Sequence, residues 1–460
     1  MCTPEVTTQA DMFAGRERGS VPWRARSHSE RHAKPRPRTC ARTHVTRMIP
    51  RWRPNAVRAT KGRRMTEPQD QTAPTRFMEP SGLLDPEFPL PTLEAALDRA
   101  AAKERLSPAE GLVLLREAPL TELGQLAAAV RNRRNPPDEV TFLIDSNPNY
   151  TNVCVTDCGF CAFCRKPGEV GGYTLTVEQV MEKVAHAAAG GATTVLLQGG
   201  HNPDLPLDYY LDLVRETLRR FPQIMPHYFT ASEVVLMAEV SGLTVAVVLA
   251  RLREAGQVTL PGGGAEILSD RVRRKIAAKK GPASAWLDVH RAAHRAGMRS
   301  TVTMMYGHVE EDEDVLVHLD AIRTLQDETA GFTAFIPWSY KPGNTPMQQA
   351  FALRGFRPAG AVTYLRILAL ARLYLDNFDH IQASWFGEGK KTGQVALHFG
   401  ADDFGGTLIE ENVHLVTGHD VTTSVEETKT LIREAGFVPV QRTTLYERIH
   451  RFGEETAPRG

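Results

Sequence analysis

The sequence predicts an α/β fold: a closed (β/α)8 barrel of the TIM type behind a helical N-terminal lead-in. Three observations predict it. Short apolar runs alternate with longer amphipathic stretches from about residue 138 onward, the pattern of a parallel sheet covered by helices. The runs number about eight, the count that closes such a barrel. Clusters rich in Cys, Gly and charge follow the strand candidates, as expected where loops after barrel strands gather at one face and build the site.

Residues 1–64 stand apart. They hold 14 Arg and 2 Lys against 4 acidic residues, a net charge of +12, so the remainder carries −11 of the overall +1. Arg and Pro are scattered from Pro22 to Arg64 without period and with few clustered aliphatics. Such a segment cannot bury enough surface to fold and is expected to be disordered. It reads as a basic nucleic-acid-binding arm, as a transit peptide that Pro and Glu fit poorly, or, preferably, as residues upstream of a true start at Met65 or Met78. No apolar stretch follows the early charges, so no secretory signal is expected.

Residues 65–137 read as a linker and helical lead-in. Ser107-Pro108-Ala109-Glu110 opens a helix with a capping box and Pro at its first position, and residues 92–133 are helical in pattern. The barrel is expected over 138–415 and a C-terminal helix and extension over 416–460. Strand candidates are Val140–Ile144, Thr194–Leu197, Ile224–Phe229, Val258–Leu260, Ser300–Met305, Phe332–Ile336, His380–Ala383 and Val395–Phe399. Helix candidates between them are Thr176–Ala189, Leu207–Arg220, Ser232–Ala255, Ala283–Ala296, Asp312–Gln326 and Ala359–Leu375. The clusters after strands are Cys154–Cys161, Gln198–His201, Pro261–Glu266, Gly307–Glu310, Pro337–Pro346 and Gly400–Thr407. Six on one rim suggest a large ligand or two ligands together.

Composition excludes several classes. Six Cys in 460 residues are too sparse for a disulfide scaffold. The longest apolar run, Leu243–Ala250, falls far short of a membrane span. No membrane or nucleic-acid partner is expected of the acidic body.

Four of the six Cys lie in Cys154-x3-Cys158-x2-Cys161-x2-Cys164. Buried hydrophobic cysteines would not bunch so closely. A structural zinc site draws four ligands, usually from two separated pairs, and here no Cys follows Cys164. A ferredoxin-like [4Fe–4S] cluster suits Cys158, Cys161 and Cys164 but takes a fourth, distant Cys. The better reading is a [4Fe–4S] cluster on Cys154, Cys158 and Cys161 with one iron open to chelate S-adenosyl-L-methionine.

This loop after a first barrel strand resembles that of the radical S-adenosylmethionine (SAM) superfamily. The resemblance implies that Phe160, the aromatic before the third Cys, belongs to the cofactor site. It implies that Gln198-Gly199-Gly200 holds the methionine amino group and Glu233 the ribose. Taken alone, Gly199-Gly200 is an ordinary turn, and Glu233 suits the first turn of a helix equally well.

From about Val140 to Glu411 the chain resembles a narrower family, the cyclic dehypoxanthine futalosine synthases of the futalosine route to menaquinone. Asn149-Tyr-Thr-Asn-Val-Cys154, Leu260-Pro-Gly-Gly-Gly-Ala-Glu266, Met304-Met-Tyr-Gly-His-Val-Glu310, Phe335-Ile-Pro-Trp338 and Ile409-Glu-Glu-Asn412 carry it. Aminofutalosine synthases and deazaflavin-precursor synthases belong to the same group. Cys164 departs from the Tyr common in the cyclases, and Asp402-Asp403 is closer to aminofutalosine synthase. The implied reaction removes hydrogen from ribose C4′ of dehypoxanthine futalosine, adds the carbon radical to the benzoate ring, and loses an electron and a proton.

The last step needs a base, and the candidates are Glu266, His308, Glu310, Asp402 and Asp403. Gly262, Gly263 and Gly264 would let backbone amides approach a carboxylate, and Trp338 would stack on a ring. Lys390 and Lys391 would neutralise the benzoate, or simply begin a solvated helix. The resemblance implies an external reductant such as flavodoxin or ferredoxin, and an oxygen-sensitive cluster suits a reducing cytoplasm. The non-enzymatic alternative is an iron–sulfur electron carrier. A nucleic-acid-modifying radical enzyme rests on the basic arm alone.

Overall fold

The computed structural model describes residues 89–348, 358–413, 415–418 and 422–453. The expected leader at 1–64, both alternative start methionines and most of the linker lie outside the described residues.

Three helices lead in: α1 (Leu93–Ala102), α2 (Pro108–Glu117) and α3 (Leu120–Arg134). The Ser107–Glu110 capping box forms as expected. The Glu110 amide donates to Ser107 Oγ at 3.3 Å and the Ser107 amide to Glu110 Oε2 at 2.7 Å.

The barrel wall begins with one interrupted strand, β1 (Glu139–Leu143) and β2 (Asp145–Ser146). It continues through α4 (Val177–Ala189), β3 (Thr194–Leu197), α5 (Leu207–Arg220) and β4 (Met225–Tyr228). Then come α6 (Ala231–Ser241), α7 (Val245–Glu254), β5 (Thr259–Leu260), α8 (Asp270–Ile276), α9 (Ala283–Arg295) and β6 (Arg299–Tyr306). The wall is completed by α10 (Asp312–Thr329), β7 (Phe332–Ser339), α11 (Ala361–Tyr374) and β8 (His380–Ile381). Strands β2 to β8 form one parallel sheet in sequence order. A second sheet, ordered β11-β10-β1-β9, uses β9 (Asp403–Gly406), β10 (Val438–Arg442) and β11 (Arg448–Arg451). Two short helices, α12 (Trp385–Glu388) and α13 (Lys390–Ala396), precede β9, and α14 (Val425–Glu434) precedes β10.

The sheets are joined at both ends. Gln382 bridges Asp403 in parallel, and β9 pairs with β1 through Thr141↔Asp403 and Leu143↔Gly406. Hydrogen bonding therefore runs from β8 through β9 back to the β1–β2 strand.

Two expectations are corrected here. Val395–Phe399 is not a strand: it continues α13 and the turn after it, because Gly393 and Ala396 pack inward while Val395 is exposed. The closing strand is instead Asp403–Gly406, within a segment that reads as a loop. Its Asp and Gly content hides it, and hydrogen bonds to both neighbours build it. Ser232–Ala255 is two helices, not one. Gly242 ends α6 in the left-handed conformation at φ 65°, and the axes bend by 105°. No single helix among the described residues is long and apolar enough to cross a membrane.

Candidate active site

The cysteine loop follows β2 and is pinned by five backbone hydrogen bonds to three other segments. The Cys154 amide donates to Arg165 O at 2.8 Å, and the Arg165 amide to Asn152 O at 2.9 Å. The Val155 amide donates to His201 O at 3.1 Å, and the Gly200 amide to Thr151 O at 2.9 Å. The Gly159 amide donates to Ile276 O at 2.8 Å. This rigid loop presents Cys154, Cys158 and Cys161 to a cavity of about 320 Å³, with Cys164 beside them.

Thr156 Oγ1 lies 3.0 Å from Cys154 Sγ and 3.5 Å from Cys158 Sγ. Hydrogen bonds from the Cys164 thiol and Thr156 lower the Cys154 pKa, whereas burial raises those of Cys158 and Cys161. Among the described residues no three His, Cys, Asp or Glu side chains converge on one point as a single-ion site needs. The thiols instead border a space that suits a multi-atom cluster.

The same cavity carries acceptors that want a ligand. Asn147 and Asn149 are 7% and 2% exposed, and both line it. The Oδ1 atom of each has no hydrogen-bond partner. Asn149 is held in place by donating from Nδ2 to Gln198 O at 2.9 Å. Buried acceptors left unpaired are costly, and the amino and hydroxyl hydrogens of SAM are of the kind that would satisfy them. The residues present therefore fit both groups.

The Gln198-Gly199-Gly200 turn reaches the cavity at the end of β3. Its glycines answer to packing: a Cβ on Gly200 would sit 2.2 Å from Val153 O, and one on Gly199 2.4 Å from the Tyr150 ring. Glu233 lines the cavity too, but protein groups hold both its oxygens. Tyr150 Oη donates at 2.6 Å and the Gly199 amide at 3.0 Å to Oε1, while the Thr230 amide and hydroxyl donate to Oε2, each at 2.7 Å. Burial raises its pKa. Glu233 thus closes the capping box of α6 and ties the cysteine loop to the glycine turn.

Of the five base candidates the structure brings one to the cavity. Glu266 lines it at 4% exposure, with φ 48°, and pairs with Lys280 Nζ at 2.8 Å. Burial alone would lower the Lys280 ammonium, but Glu266 and Cys158 outweigh it and raise its pKa. The same ammonium lies 5.3 Å from the centre of the Phe160 ring.

His308 and Glu310 follow β6 but face each other rather than the cavity. Nδ1 of His308 is 3.0 Å from Glu310 Oε2, and Nε2 donates to Met305 O at 2.9 Å. Asp402 and Asp403 do not stand on the cysteine rim, because Asp403 begins β9 and Asp402 directly precedes it, so neither follows a strand. Asp402 pairs with Arg372 and with His380 Nδ1 at 2.6 Å. Asp403 accepts from Arg442 Nη2 at 2.9 Å and from the Thr141 hydroxyl at 2.6 Å.

Gly262, Gly263 and Gly264 line the cavity, as does Trp338. Gly262 is needed against β6: a Cβ there would lie 2.4 Å from Val302 Cα. Lys390 and Lys391 lie outside the cavity lining, paired with Glu427 at 2.7 Å and Glu434 at 3.4 Å. Lys280, Asn147, Asn149 and His227 are cavity residues that reading the sequence missed. The signal for His227 was its inward register within the Ile224–Phe229 run, two residues beyond Met225.

A parallel barrel with this cysteine loop and this cavity at the carboxyl ends of its strands defines a radical SAM enzyme. The comparisons agree. The radical SAM superfamily matches residues 148–322, and the CofH/MqnC C-terminal region matches 329–453. The chain belongs to the CofH/MqnC family of radical SAM enzymes. It is 40% identical over 366 residues to a cyclic dehypoxanthine futalosine synthase of Halalkalibacterium halodurans, across 80% of this chain and 97% of that one. It is 39% identical over 371 residues to an aminodeoxyfutalosine synthase of Thermus thermophilus, across 80% and 97%. The fold is shared with HydG, a maturase of the [FeFe]-hydrogenase, at a TM-score of 0.59 and 16% identity over 77% of this chain and 76% of that one.

Proposed function

We propose that the chain is a cyclic dehypoxanthine futalosine synthase acting in menaquinone biosynthesis in the reducing cytoplasm. One observation carries the reading: the thiol wall and the polar barrel interior belong to one continuous cavity. A substrate inside is therefore held beside the cofactor end, and proximity of this kind is what an intramolecular ring closure needs.

Cys154, Cys158 and Cys161 would hold the cluster, and Cys164 would remain a thiol beside it. When bound, the cluster and SAM supply the radical that takes hydrogen from ribose C4′ of dehypoxanthine futalosine. The carbon radical would add to the benzoate ring; loss of a proton to a base and of one electron, for which the bound cluster would be the acceptor, would restore aromaticity. The external reductant is a flavodoxin or ferredoxin. Glu266 is the candidate base that faces the cavity, held by Lys280. Trp338 also lines the cavity. The Asp402–Asp403 pair, which resembles the aminofutalosine synthases, is not itself part of the cavity lining and is held by Arg372 and Arg442. It says little about substrate.

Reconstituted protein given dehypoxanthine futalosine, SAM and a reductant should form the cyclic product with 5′-deoxyadenosine and methionine. Product no greater than in a substrate-free control would sink the reading. Cys164→Ala, taken through the same assay, should keep its cluster absorbance. Loss of the cluster there would show a ligand set that includes Cys164.

A further inference from the structure

Barrel interiors are ordinarily filled by layers of branched apolar side chains. Here Thr194 from β3, His227 from β4, Thr301 and Thr303 from β6 and Gln382 after β8 border the cavity instead. His227 is the ionisable member of this set, and it is 7% exposed.

Its tautomer follows from its neighbours. The Thr259 hydroxyl donates to Pro226 O at 3.1 Å, so Thr259 Oγ1 is left to accept from His227 Nδ1, 2.9 Å away. On the other edge, Thr301 Oγ1 accepts from the Gly262 amide at 2.9 Å. Its hydroxyl hydrogen is then free to point at His227 Nε2, 3.4 Å away. The opposite tautomer would leave the Thr301 hydrogen without an acceptor and cost Pro226 O its hydroxyl donor. Nδ1 therefore carries the proton and Nε2 is an acceptor. At 3.4 Å its present bond is long and weak. Burial, helped by Arg442, lowers the imidazole pKa to about 3, so the ring stays neutral near pH 7.

We propose that His227 Nε2 is a substrate contact that accepts a hydrogen bond from a ring hydroxyl of the bound sugar. The assignment rests on the reading above and deepens it. A neutral acceptor favours a hydroxyl and repels a carboxylate, which has no hydrogen to give. It therefore receives the sugar end of the substrate and not the benzoate. Thr301 serves as the stand-in donor until the sugar arrives.

The test combines a variant with substrate analogues on the reconstituted holoenzyme. His227→Asn keeps a donor for Thr259 but is too short to place an acceptor where Nε2 stood. Dissociation constants are measured for dehypoxanthine futalosine and for analogues that each lack one ring hydroxyl. Wild type should bind one analogue about tenfold more weakly than substrate, the usual worth of such a bond. H227N should bind substrate about tenfold more weakly and lose nothing further with that analogue. Equal penalties in wild type and variant would overturn the proposal. So would wild type that binds every analogue as tightly as substrate, a result that does not depend on the variant folding. Wild type that forms no cyclic product would instead overturn the functional reading, and this contact with it.

Discussion

Glu310 shows how a residue with the look of a catalytic base is spent on the fold. Burial would raise its pKa, but His308 and the amides of Gly307 and His308 outweigh that and hold it at about 2. A carboxylate depressed in this way adds stability that is complete above its ordinary value near 4.5 and is lost as pH falls toward 2. Glu310→Gln should therefore be less stable than wild type by about 3 kcal/mol at neutral pH. The difference should shrink to little near pH 2. Parallel urea titrations at several pH values measure it, and a gap independent of pH would refute the depressed-carboxylate account. Glu266, by contrast, keeps its carboxylate at the cavity, and only the folded positions of the two residues separate them.

At the scale of elements, the cysteine loop and the turn after β3 form one unit. Gly200 permits the close approach of Val153 O that the Gly200–Thr151 hydrogen bond completes. Gly200→Ala should push the loop away, because the clashing atom is backbone and cannot swing aside. Cluster loading after reconstitution should fall severalfold with the barrel still folded, read from iron content and far-ultraviolet circular dichroism. Full iron loading would show that the loop has slack. Similar logic explains β9. Its residues have poor strand propensity, yet pairing to β1 and the bridge to Gln382 make it a strand.

Across the whole molecule, an ion pair from β10 reinforces the closure that β9 makes by hydrogen bonds. Arg442 on β10 reaches Asp403 on β9, with both side chains buried at 4% and 0% exposure. Tyr446 covers the guanidinium at 3.8 Å, and Arg442, Thr444 and Tyr446 border the cavity interior. Removing one partner of such a pair leaves a buried charge uncompensated. Arg442→Met should cost about 3–5 kcal/mol, and adding Asp403→Asn should recover part of it. Thermal denaturation of the single and double variants checks this. Additive losses would mean the two residues act separately.

Much of this was legible in the chain alone. Strand–helix alternation announced the barrel because apolar periodicity is a local property. The cysteine spacing announced the site loop because its four cysteines lie within eleven residues of sequence. The capping box at Ser107 is local too. Tertiary structure alone decided the rest. It made a strand of Asp403–Gly406, broke one apparent helix in two, and paired Asp402 and Asp403 with arginines 30 and 39 residues away in sequence. It turned His308 and Glu310 toward each other and brought Lys280, His227 and two asparagines to the cavity. The physical reason is common to all of these: a side chain's role depends on which way its backbone faces and which charges reach it, and both are set by contacts between segments distant in the chain.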